Sequence, residues 1–85
     1  MNTNYVSHAR RDPNGVTTHL GSLDPYWLTP VSTIILEIER DQASYVVAVA
    51  GRWVKVIVKQ GKYRKYLATE ADDYGKNNID NLPTI

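Results

Sequence analysis

The chain has 85 residues, ten Lys or Arg against nine Asp or Glu, and no cysteine. That is one domain's worth, near neutral at +1, with nothing from which to build a disulfide scaffold, a Cys-based zinc site or thiol chemistry. Hydrophobic residues are 42% and charged residues 22%, as in an ordinary globular domain, and no run approaches the roughly 18 apolar residues of a membrane helix. Met1-Asn2-Thr3-Asn4 lacks the basic region and apolar core of a signal peptide, so a cytoplasmic location is the default expectation. A chain of this length buries only about 60–65% of its unfolded surface, which leaves little core to spare for an internal active site. These counts bound the fold; they name no function.

The first element is a hairpin centred on Asp12-Pro13-Asn14-Gly15. Pro presets the first central turn position, Asn tolerates the second, and Gly takes the left-handed position after them. With Pro13 to Gly15 as the loop, Asp12 faces Val16, Arg10 faces Thr18, His8 faces Leu20, and the strands run over 5–11 and 16–20. Residues 21–28, with Asp24-Pro25, read as a loop. Thr29 as N-cap and Pro30 at the first helical position then open a helix whose Val31, Ile34, Ile35 and Ile38 form one apolar stripe. Leu36 lies nearly opposite that stripe. The helix must stop near Asp41-Gln42, although no Gly is there to cap it.

Residues 44–50 and 52–59 are the strongest strand signals, rich in Val and Ile, with a tight turn at Ala50-Gly51. In that register Tyr45, Val47 and Val49 share a face with Val54, Val56 and Val58, and the helix stripe is expected to pack on it, against Val47, Val49, Val54 and Val56. The other face carries Val46, Ala48, Trp53 and Ile57, interrupted by Lys55 and Lys59. Gln60-Gly61 turns the chain into a fifth strand over 63–69. From Glu70 onward the composition is acidic and Asn-rich, with Ile79, Leu82, Pro83 and Ile85 as its apolar anchors. The expected architecture is α+β: an antiparallel sheet of about five strands, ββαβββ, with one helix on one face. The domain spans 1–70, and an acidic tail over 71–85 docks on it, with Leu36 or the Val46–Trp53–Ile57 face as receiver.

Taken in order, several of these pieces resemble a bacterial family of domains of unknown function, family 3892. They are Asp12-Pro13-Asn14-Gly15 followed by Thr18-His19, Trp27-Leu28-Thr29-Pro30, the Ile-rich helix and the valine hairpin around Gly51-Arg52. Gly61-Lys62-Tyr63-Arg64-Lys65-Tyr66-Leu67 and the closing Asn81-Leu82-Pro83 complete the likeness, which covers nearly the whole chain. The missing Gly after the helix and the strongly basic strand-turn segment depart from the pattern. The resemblance implies a small α+β domain and carries over no catalytic or binding residue.

Each chemical reading has a plainer competitor. His8 and His19 are the acid–base candidates, beside Ser7, Ser22, Ser32 and Ser44 as nucleophiles. The register above puts the two rings on opposite faces, and no Gly-x-Ser-x-Gly elbow, phosphate-binding glycine loop or His-Glu-x-x-His pair is present. Asp72, Asp73, Asn77, Asn78, Asp80 and Asn81 do not follow the alternation of a calcium loop; turns rich in Asx residues explain them. Charge segregation is more informative. Residues 42–69 hold Arg52, Lys55, Lys59, Lys62, Arg64 and Lys65 and no acid, whereas 70–85 hold Lys76 against Glu70, Asp72, Asp73 and Asp80. Basic strands bearing Trp53, Tyr63 and Tyr66 supply charge for phosphate and rings for stacking, although Lys also protects exposed strand edges. All aromatic residues are Tyr or Trp, a set common at interfaces and at the border of a small core.

The sequence thus predicts a small non-enzymatic binding or accessory domain, a monomer or weak homodimer. It assigns no catalytic, cofactor-binding or metal-ligating residue, no cofactor and no membrane partner. The alternative is weak nucleic-acid binding, independent of sequence, through the basic hairpin 52–65. The surface expected to carry it, or to meet another partner, is Trp53, Lys55, Lys59, Lys62, Arg64 and Lys65.

Overall fold

The computed structural model describes residues 2–49, 51–70 and 78–85. Their elements are β1 (Asn2–Val6), β2 (His8–Arg11), β3 (Thr17–Leu23), β4 (Tyr26–Pro30), α1 (Val31–Glu39), β5 (Ala43–Val49), β6 (Arg52–Gln60) and β7 (Lys65–Thr69), then a 3-10 turn over Asn78–Asn81. The fold is α+β, with the helix packed on a sheet, but the seven strands form two sheets rather than one sheet of about five. One sheet has the order β1-β5-β6-β7 and the other β2-β3-β4.

The alternating valines set the larger sheet. Val47 pairs with Val54 and Val49 with Arg52 across a turn in which Gly51 takes φ 80°, so the expected register holds. Tyr45, Val47, Val54 and Val56 are buried on the inner face. Ile34 is fully buried against this core, a burial worth about 1.5–3 kcal/mol, while Val31, Ile35 and Ile38 pack half-buried around it. Leu36 is exposed, as its position opposite the stripe requires. β7 begins at Lys65, two residues later than expected, and Tyr63 lies in the β6–β7 loop.

The N-terminal strand departs from expectation. It divides at Ser7: β1 runs parallel to β5 in the larger sheet and buries Val6, whereas β2 joins the smaller one. The Asp12 loop forms as the residues dictate, with Gly15 at φ 83° and the Asp12 carboxylate accepting from the Asn14 and Val16 amides at 2.9 and 3.0 Å. Beyond it, a bulge between Arg10 and Arg11 shifts the register by one. Arg10 therefore faces His19, and His8 faces Gly21.

Residues 21–28 are not a loop. They form the turn of a β3–β4 hairpin, in which Leu23 pairs with Tyr26 and the Asp24–Pro25 peptide is cis. Gly21 is required there, because a Cβ would strike the carbonyl oxygen of Trp27 and crowd Leu28 and Ile85. Thr29 consequently belongs to β4, opposite Leu20, and does not cap the helix; Pro30 occupies the cap position without a side-chain bond. At the other end Asp41 takes the left-handed conformation, φ 54°, that Gly usually supplies. The Asp41 amide donates to Ile38 and the Gln42 amide to Glu37, which closes the helix.

Residues 78–85 lie along β2, not on Leu36 or the Val46–Trp53–Ile57 face. The Ala9 amide donates to the Pro83 carbonyl, and the Ile85 amide to that of Ala9, both at 2.9 Å. Ile79 is buried in the common core and Leu82 packs at its border. Arg11 secures the segment from inside: its guanidinium donates to the Ile79 and Leu82 carbonyls and to Thr84 Oγ1, at 2.9, 3.1 and 3.1 Å.

Candidate functional site

Because strand neighbours alternate between faces, the odd-numbered residues of β6 leave the core and line the outer face of the larger sheet. Trp53, Lys55, Ile57 and Lys59 follow one another along it. Cross-strand partners share a face, so Val46 joins Lys55, Ala48 joins Trp53, and Tyr66 joins Lys59. The parallel pairing of β1 adds Tyr5, opposite Val46.

The result is an open surface with three rings. Tyr5, Trp53 and Tyr66 are 54%, 55% and 42% exposed, although large rings are normally spent on the core. Tyr5 and Trp53 meet edge to face, with centroids 5.0 Å apart and planes at 69°, so each fixes the other's orientation. Beside them lies a shallow depression of about 420 Å³ bordered by Thr3, Ser44, Val46, Lys55 and Glu70. Glu70, whose amide donates to the Lys55 carbonyl, is the acid nearest in register.

The six residues expected to form the surface do not all share it. Trp53, Lys55 and Lys59 do. Lys62 and Arg64 are exposed in the β6–β7 loop, where Lys62 Nζ lies 5.4 Å from the centre of the Tyr63 ring. Lys65 pairs with Gln60, on the helix side of the sheet, and its Nζ is 2.6 Å from Glu39 Oε2. Tyr5 is the member that the candidate set lacks. Its only sequence signal is alternation with Val6, since the strand that brings it to Trp53 pairs with β5, some 40 positions away.

The histidines also move. The bulge places His19 on the same outer face of the smaller sheet as His8 and Arg10, against the expectation of opposite faces. Among the described residues, no three His, Cys, Asp or Glu side chains are grouped as metal ligands require. Asp72, Asp73 and Asn77, weighed as oxygen ligands, lie outside the described residues. A larger groove of about 840 Å³ runs between the Asp12 hairpin and β7 over Val31, Ile35, Leu67 and Ile79. Its charges are mixed, with Asp12 and Asp80 facing a rim that holds Lys59, Arg64 and Lys65. No helix among the described residues is long and apolar enough to cross a membrane.

A family model described as a protein of unknown function, DUF3892, matches residues 5–83. Neither a curated protein nor a solved structure matches the chain significantly.

Proposed function

Starting from a chain that belongs to the DUF3892 family, for which no activity is described, we propose that this domain works by binding rather than by catalysis. Its working surface is the outer face of the larger sheet, and its ligand is single-stranded nucleic acid held without sequence preference. The observation that carries this reading is the exposed Tyr5–Trp53 pair set beside Lys55 on an open sheet face. Base stacking on such rings contributes about 1–3 kcal/mol per base whatever the base, and a neighbouring cation meets the phosphate. Tyr66 extends the ring row toward the loop bearing Lys62 and Arg64.

The test is an NMR titration of the labelled chain with a short single-stranded oligonucleotide at low and moderate salt. Saturable shifts centred on Tyr5, Trp53, Lys55 and Tyr66, weakening with salt, are expected. No saturable shift at low salt, or shifts confined to the Thr17–Ile35 groove, would overturn the reading.

A further inference from the structure

Two adjacent arginines in β2 have opposite fates. Arg11 faces inward and spends its donors on the 78–85 segment. Arg10 is exposed on the outer face, where its guanidinium has no hydrogen-bond or ion-pair partner among the described residues. The bulge that separates them sets His19 directly across from Arg10, and His8 lies two positions back on the same strand. Cross-strand partners bring their Cβ atoms to about 5 Å, and next-but-one neighbours on a strand to about 7 Å. Three groups able to carry positive charge thus occupy one small triangle.

Both rings are held at Nδ1. Thr18 Oγ1 lies 3.2 Å from the Arg10 carbonyl oxygen and 2.8 Å from His19 Nδ1, joining the ring to the neighbouring strand. Nε2 of each ring makes no hydrogen bond among the described residues. His8 Nδ1 sits 2.8 Å from Ser7 Oγ.

No acidic side chain of the three strands reaches this face. β3 adds Gly21 and Leu23, and β4 adds Tyr26, Leu28 and Pro30. Asp24 stands in the turn beyond Leu23. The 82–85 segment brings the Ile85 side chain over Gly21 beside Leu28, and the Ile85 carboxylate makes no ion pair with Arg10.

We propose that His8, Arg10 and His19 form an oxyanion site for a phosphate monoester with an apolar or aromatic body. The planar guanidinium matches phosphate oxygens, and the imidazole rings add N–H donors around it. Three donors in a triangle suit the three terminal oxygens of a monoester better than the two of a carboxylate. The strip of Leu28, Tyr26 and Ile85 beside them receives the body of the ligand.

Phenyl phosphate and inorganic phosphate, titrated into the labelled chain, test this site on ring and guanidinium NMR signals. Saturable shifts on His8, Arg10 and His19 are expected, with phenyl phosphate the tighter ligand. Arg10→Gln, an exposed change, weakens binding about tenfold or more, and His19→Gln weakens it by a smaller factor. No saturable shift with either phosphate, or wild-type affinity in Arg10→Gln, would overturn the proposal. An oligonucleotide without a terminal phosphate is the third arm. Shifts of the triangle by that probe alone would assign the face to phosphodiesters and sink the monoester site. Shifts confined to Trp53 and Lys55 keep the two surfaces distinct.

Discussion

The Arg11 guanidinium donates to the Ile79 carbonyl oxygen at 2.9 Å, joining the second strand to a turn 68 positions later. Two further donations, to Leu82 and Thr84, add to the backbone bonds of Ala9 in fastening the C-terminal segment, while Ile79 provides an apolar anchor. Arg11→Met should cost about 2 kcal/mol in urea unfolding, because partly buried carbonyls lose charged donors. Amide exchange over 79–85 should quicken before global unfolding. Arg11→Lys should recover less than half of the loss, since a point ammonium cannot span three acceptors. An unchanged urea midpoint in Arg11→Met would mean that the Ala9 backbone bonds and the apolar contacts hold the segment without the guanidinium.

Helix termination yields a prediction of the opposite sign. Asp41 holds φ 54° where a side chain with a Cβ is strained, in a closure that otherwise has both of its hydrogen bonds. Asp41→Gly should therefore stabilise the domain by about 0.5–1 kcal/mol, even after the extra entropy that Gly gives the unfolded chain. Asp41→Val, β-branched at the same φ, should destabilise it. Thermal unfolding of the two variants decides the matter, and a lower melting temperature for Asp41→Gly would refute the strain account.

Periodicity marks the limit of what the sequence discloses. The valine hairpin and the Ile34 stripe were legible because a period of two and a period near 3.6 survive in the residues themselves. From the alternation along β6, Trp53, Lys55 and Lys59 could be placed on one face. The break at Ser7 could not be read, since nothing local tells a seven-residue strand from two short ones that part for different sheets. The β3–β4 hairpin was hidden because its turn is Asp24-Pro25 and its strand contains Gly21, residues that otherwise signal a loop. The one-residue bulge after Arg10 reversed the expected relation of the two histidines, since a slip of one moves a side chain to the other face. Lys65 was misplaced for a related reason: only the β6–β7 register shows that it faces α1 and Glu39.

Tyr45 connects the core to pH. Its hydroxyl donates to Glu37 Oε1 at 2.7 Å beneath the Trp27 ring, whose centroid is 5.7 Å away. Burial pushes the phenol well above its ordinary range; the hydrogen bond to Glu37 and its negative charge push the same way, and Thr29 opposes them. An unfolded tyrosine ionises near pH 10, whereas the folded one stays neutral well beyond it. The folded state therefore binds more protons above that point, and this contribution is complete below about pH 10 and lost as the pH climbs further. Tyr45→Phe should cost about 1 kcal/mol at neutral pH. The gap between the two proteins should narrow in denaturant melts taken from about pH 9 upward, and a gap independent of pH would show that the hydroxyl is not what titrates.

Lys55 and Lys65 offer a within-hairpin control for the binding surface. Both are exposed cations, separated by one turn of the hairpin, but they leave the sheet on opposite sides. Lys65 is engaged with Glu39 at 2.6 Å, a partly exposed pair worth about 0–1 kcal/mol, so Lys65→Gln should cost little stability. Lys55→Gln removes a cation from the face that holds Tyr5 and Trp53. If phosphates lie along that face, Lys55→Gln should weaken single-strand binding equally for every sequence and lower the salt slope by about 0.7 for each phosphate no longer neutralised. Lys65→Gln should leave that slope unchanged, because its side chain is held toward α1. Fluorescence titrations of Trp53 against salt read both quantities at once. Equal weakening in the two variants would mean that the hairpin attracts nucleic acid through bulk charge alone, and the aromatic face would then have no part in it.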